Sequence, residues 1–136
     1  MPRSLALITL LVDDYDAAIA HYTGALGFAL LEDTDLGGGK RWVRVAPRAD
    51  AETALLLARA SDGAQRARIG DQTGGRVGFF LHTDDFDRDY GRMRAAGIVF
   101  LETPREEPYA NVVVFRDAYG NRWDLLQPRT PAETPQ

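Results

Sequence analysis

Val12-Asp13-Asp14-Tyr15-Asp16 and Thr83-Asp84-Asp85-Phe86-Asp87 are the two stretches on which the fold turns, because each follows an apolar run and each opens a helical pattern. Working outward, Gly27-Phe28 and Gly97-Ile98 close the two helical patterns, and Leu31-Glu32 and Leu101-Glu102 follow in equivalent places. Self-similarity at this spacing marks a duplicated supersecondary unit. The modules run from about residue 5 to 60 and from 76 to 128.

In the first module Tyr15, Ala18, Ile19, Tyr22 and Leu26 recur at helical spacing. An aspartate is available at the N-cap, and Gly27 can take the left-handed conformation that ends a helix. In the second, Phe86, Tyr90, Met93 and Ala96 form the corresponding stripe before Gly97. Strands are expected over residues 5–12, 28–32, 41–46 and 53–58, then 77–83, 99–101, 111–115 and 122–127, with a hairpin turn at 117–121. Each module therefore reads β-α-β-β-β. The fold class is α+β: two tandem βαβββ modules forming a curved mixed sheet around a cleft, with helices on the outer face. Residues 61–75 are polar and glycine-containing and read as the linker; residues 129–136, rich in proline, read as a frayed tail.

A chain of 136 residues with 45% hydrophobic and 26% charged content fits one packed domain over 1–136. The net charge of −4 and the single lysine, Lys40, leave no basic stripe to follow a phosphate backbone, so nucleic acid is not an expected partner. The chain has no cysteine, which excludes disulfides, thiolate metal sites and a cysteine nucleophile and fits a reducing compartment. Residues 1–12 read as a strand rather than a signal peptide, and no run is long enough to span a bilayer. The expected location is the cytoplasm, with no membrane partner.

The run Val12-Asp13-Asp14, leading to Ala18-Ile19-Ala20-His21-Tyr22 and Leu26-Gly27-Phe28, resembles the vicinal oxygen chelate superfamily of glyoxalases, bleomycin resistance proteins and extradiol dioxygenases. So does the closing run Phe115-Arg116-Asp117-Ala118-Tyr119-Gly120-Asn121-Arg122-Trp123-Asp124-Leu125. The resemblance covers nearly all of residues 5–128. It implies a divalent ion, in metal-dependent members, held by one ligand from the first and one from the last strand of each module. Those positions fall here on Leu7, Leu56, Gly78 and Asp124, of which only Asp124 carries a ligand atom. The resemblance also implies a homodimer, whose cleft lies either within one chain or between modules of different subunits.

The expected ligand-binding residues are Asp124, His82, Trp42, Arg44 and Phe80, with Asp124 and His82 as catalytic candidates. By strand alternation His82 shares a face with Gly78 and Phe80 and is read either as a proton carrier or as a histidine hydrogen-bonded near Asp84 or Asp85. Asp124 is read either as a cleft base and ligand anchor or as an acid satisfied by an arginine across the sheet. Trp42 and Arg44 share one strand face, offering a stacking surface and an anion-binding fork, or else a solvated edge. His21, within the first helix, reads as structural. Gly37 to Lys40 lacks the spacing of a phosphate loop, and the acids around Asp84 to Asp89 suit a helix start better than a calcium loop. No serine or threonine stands in a nucleophile elbow.

The leading reading is a glyoxalase/bleomycin-resistance-like protein that binds a small organic molecule in the cleft with no cofactor and no metal. The alternative is a metal-dependent lyase, isomerase or dioxygenase with a displaced one-ion site including His82 and Asp124. A third is a cleft filled by side chains, with function through partners alone.

Overall fold

The computed structural model describes residues 2–129. The chain forms two compact units, divided between Gln72 and Thr73. Each carries a βαβββ-type module, and the fold is α+β with two mixed sheets.

The first unit contains β1 (Leu7–Val12), α1 (Tyr15–Ala20), β2 (Ala29–Gly37), β3 (Lys40–Ala46), β4 (Ala54–Arg59) and α2 (Gly63–Arg68). Its sheet has the order β1-β4-β3-β2, with β1 parallel to β4 and the other pairs antiparallel. Asp14 caps α1 by accepting a hydrogen bond from the Ala17 amide at 2.8 Å. The helix expected to run on to Leu26 changes at His21 into a π-helical turn, His21–Ala25, in which the Leu26 amide donates to the His21 carbonyl. The Thr23 hydroxyl donates to the Ile19 carbonyl within that turn, a back-bond that bends helices. Tyr15, Ala18 and Tyr22 are buried with Leu10, Val12, Val43, Val45 and Leu57, as the apolar stripe predicts. Each such large aliphatic side chain contributes about 1.5–3 kcal/mol on burial.

Two features of this unit lie outside the sequence-based expectation. Strand β2 continues through Asp33, Thr34 and Asp35 to the hairpin tip, because the arginines opposite neutralise its acids: Arg41 pairs with Asp33 at 2.7 Å and Arg44 with Glu32 at 2.9 Å. The stretch 61–75 carries α2, capped by Asp62, and Gln72 turns back onto β1. The Gln72 side-chain amide accepts from the Leu11 amide and donates to the Thr9 carbonyl at 3.1 Å, so it satisfies backbone groups on an edge strand.

The second unit contains β5 (Val77–His82), α3 (Phe86–Ala95), β6 (Val99–Phe100), β7 (Arg105–Glu106), β8 (Ala110–Arg116) and β9 (Arg122–Pro128). The order is β5-β9-β8-β6, with β5 parallel to β9 and β7 added on β8. Phe86 and Met93 of α3 are buried; Ala96, expected to extend the stripe, is exposed at the C-cap, and Ile98 beyond Gly97 is buried instead. The β8–β9 turn is built on Asp117. Its buried carboxylate accepts from the amides of Tyr119 and Asn121, from Asn121 Nδ2 and, at 3.0 Å, from Trp123 Nε1. At the C-terminal end Arg129 is tied down, donating to the Glu107 carbonyl and to Asn111 Oδ1. The rest of the expected tail, 130–136, lies outside the described residues.

Candidate functional site

Strand alternation sorts the site residues onto faces. In the second unit Phe79 stacks on Trp123 at 4.6 Å and Trp123 on Phe115 at 5.8 Å, which assigns Phe79, Trp123 and Phe115 to one face of the sheet. The opposite face then carries Phe80 and His82 of β5, Asp124 and Leu126 of β9, and Val112 and Val114 of β8, while Gly78 falls at a register shift between Val77 and Phe79 where alternation is interrupted. In the register, Asp124 lies between Phe80 on β5 and Val114 on β8. His82 pairs with Leu126, two residues further along.

The neighbours of Asp124 across the sheet are therefore apolar, not arginines. Its Oδ1 is shut off from solvent and has no hydrogen-bond partner among the described residues. The nearest cationic influence is Arg105, but that guanidinium is engaged by Glu102 at 2.9 Å and Glu107 at 2.8 Å. Burial accordingly holds the Asp124 carboxyl above the ordinary carboxylate range; Arg105 opposes the shift and Glu102 adds to it. His82 is exposed, and its side chain makes no hydrogen bond or ion pair to another described residue, including Asp84 and Asp85. Phe80, 63% exposed, is a large aromatic surface beside Asp124.

In the first unit Val43 and Val45 are fully buried, so Trp42 and Arg44 point to the opposite face, with Glu32, Thr34 and Leu56 as cross-strand neighbours. Trp42 lines a cavity of about 770 Å³ at the hairpin end of this sheet. Arg44 spends its Nε on Glu32, and that hydrogen bond, followed by one from Thr34, holds Glu32 below its usual range. His21 packs edge-on against Tyr22 at 5.0 Å.

The four positions that the fold family uses for a metal can be tested directly. Leu7 and Leu56 share the Trp42 face, Asp124 lies on the face opposite Trp123, and Gly78 falls at the register shift of β5. The register pairs Thr9 with Leu56 as it pairs Phe80 with Asp124. One donor in four positions does not fit a divalent ion, and no group of three His, Cys, Asp or Glu capable of holding one occurs among the described residues. Gly78 is also sterically blocked: a Cβ there would lie 2.7 Å from Thr73 Cγ2.

A duplicated βαβββ module with a mixed sheet in each copy, and with first- and last-strand residues of each module on one face, defines a class of small two-module proteins. The chain belongs to the Glyoxalase/Bleomycin resistance protein/Dioxygenase superfamily, whose profile matches residues 4–125. A protein of Shewanella frigidimarina (strain NCIMB 400) is 52% identical over 128 residues, 93% of this chain and 95% of that one. Among solved structures, UcmS2 has a TM-score of 0.79 at 30% identity, covering 93% of this chain and 98% of that one. TnmS3, described as an antibiotic binding protein from Streptomyces sp. CB03234, has a TM-score of 0.75 at 29% identity, covering 94% and 98%. No helix among the described residues is long and apolar enough to cross a membrane.

Proposed function

We propose that this protein binds a small organic molecule and does so without the family's divalent-metal site. The observation that carries this reading is Asp124. It keeps a family ligand position, yet its Oδ1 is buried without a partner beside an exposed Phe80, while Leu7, Leu56 and Gly78 leave the metal nothing else to bind. An unpartnered buried oxygen costs stability and is explained by a ligand donor that satisfies it. Asp124, His82 and Phe80 are the contacts offered by the second module, and Trp42 and Arg44 those offered by the first. The similarity to an antibiotic binding protein supports sequestration rather than turnover.

The chain acts as one domain over residues 1–136 and as a homodimer in the cytoplasm. A single unfolding transition and a dimer mass across micromolar concentrations check the first two of these statements. The function is tested by elemental analysis of tag-free protein after titration with manganese, iron, nickel and zinc, together with a thermal-shift screen of aromatic, peptide-like and antibiotic compounds. The expected result is a stabilising compound whose effect is lost in Asp124→Ala and needs no metal. A tightly held ion released by His82→Ala or Asp124→Ala would overturn the reading in favour of a lyase, isomerase or dioxygenase with a displaced site.

A further inference from the structure

The cavity of about 770 Å³ in the first unit has a charge unlike that of the protein around it. The chain carries a net charge of −4, yet Lys40, Arg41, Arg59 and Arg66 all line this one space, with Asp13 as the acid on its wall. The four cations are not equivalent. Arg41 is neutralised by Asp33 at 2.7 Å and Asp16 at 2.9 Å. Lys40, Arg59 and Arg66 form no ion pair with another described residue.

Arg59 is held in place by the local fold. The Arg59 guanidinium lies over the Tyr15 ring at 5.7 Å, and Arg41 lies over the same ring at 5.2 Å. Tyr15 is in turn fixed by its hydroxyl, which accepts the Arg41 amide at 3.2 Å. The hairpin comes close enough to Arg59 that a Cβ on Gly39 would sit 3.2 Å from its Nη2, and Gly39 has a φ of +82° that side chains disfavour. Lys40 follows that bare glycine in the hairpin, so Lys40 and the Arg59 guanidinium line the same cavity. Cations that line one cavity without a counter-ion attract an oxyanion into it. Trp42 adds a flat apolar wall to the same cavity.

We propose that this cavity binds an oxyanion carried on a planar ring, with Lys40, Arg59 and Arg66 taking the charge and Trp42 the ring. The proposal rests on the small-molecule reading above for the part assigned to Trp42, and it gives the first unit's cavity a ligand class of its own, aromatic acids, whether carboxylates or phosphate esters. Asp13 sets a limit on the charge, since it disfavours an anion that reaches across to its side of the wall.

The test uses three probes of one shape: 2-naphthoate, 2-naphthyl phosphate and the neutral 2-naphthamide, titrated into the full chain by calorimetry and by amide NMR. The protein has only two tryptophans, so its two indole N–H signals report separately on Trp42 and on the buried Trp123. The expected result is that at least one anionic probe binds about tenfold or more tighter than the amide and shifts the Trp42 signal alone, with affinity falling as salt rises. The better of the two anions identifies the carried group. The triple variant Lys40→Gln/Arg59→Gln/Arg66→Gln, changed only at exposed positions, abolishes that preference. Arg48→Gln, which removes an exposed charge outside the cavity wall, leaves it intact. Equal binding of acid and amide, no binding of any probe, or full affinity in the triple variant would overturn the proposal. If a neutral compound from the screen still binds through Asp124 in that event, the small-molecule reading stands and only this inference falls.

Discussion

Replacing Asp124 by asparagine should make the protein more stable at neutral pH. The native carboxylate has Oδ1 buried without a partner between Phe80 and Val114, and its charge is disfavoured by that burial. Asparagine keeps a polar group at that position and removes only the charge that burial disfavours; because the residue as a whole is only partly buried, the gain from Asp124→Asn is set low, at about 1 kcal/mol. For a chain of this length that is roughly 3–5 °C in Tm. The pH dependence follows from the direction of the shift. The folded chain holds the Asp124 proton more tightly than the unfolded chain, whose carboxyl titrates near 3.8. The cost of the charge is therefore absent below that value and complete once pH exceeds the raised folded value. Urea unfolding of both proteins at pH 4 and pH 7.5 measures it: the variant gains at pH 7.5 and the two converge toward pH 4. A variant that is less stable at pH 7.5, or a difference that does not change with pH, would refute the claim that Asp124 is an unsatisfied, strained carboxylate.

Other substitutions probe the frame around the site. Asp117→Ala strips the acceptor from the Trp123 indole and from the Asn121 side chain and should cost roughly 2–4 kcal/mol in chemical denaturation, the range for breaking a buried network. Gly78→Ala should cost about 1–3 kcal/mol through its contact with Thr73 Cγ2, and Thr73→Ser, which removes that methyl but keeps the hydroxyl bonded to the Arg76 carbonyl, should restore most of it. Gln72→Ala should raise amide exchange at Leu11, whose donor it leaves open, with little effect on the rest of β1.

The module architecture was legible because duplicated punctuation constrains both copies: an aspartate cap, an apolar helical stripe and a terminating glycine appear twice, and the observed strands follow those landmarks. What escaped detection had weak apolar periodicity or little length. Helix α2 buries none of its residues, so hydrophobic spacing was silent; the one available signal was the Asp62 to Gln65 spacing, since Asp62 accepts from the Gln65 amide and Gln65 in turn accepts from Ser61. The far half of β2 is acidic, and Arg41, which stands opposite Asp35 and pairs with Asp33, offsets that charge. Strand β7 is two residues long, below what alternation can register. At the site, alternation correctly put Trp42 with Arg44 and His82 with Phe80. It could not reveal that Asp124 faces apolar neighbours, because that depends on the pairing register of three strands. The basic cavity was invisible for the same reason: Lys40, Arg59 and Arg66 come from a hairpin, a strand end and a helix.

The most direct test of metal-free ligand binding is a thermal-shift titration of the best compound from the screen, run with and without a chelator. At about ten times its Kd a ligand that binds only the folded state adds about 1.4 kcal/mol, or roughly 4–6 °C. The account predicts the same shift in both conditions and none in Asp124→Ala. A shift that appears only when a divalent ion is supplied, and vanishes with chelator, would contradict it.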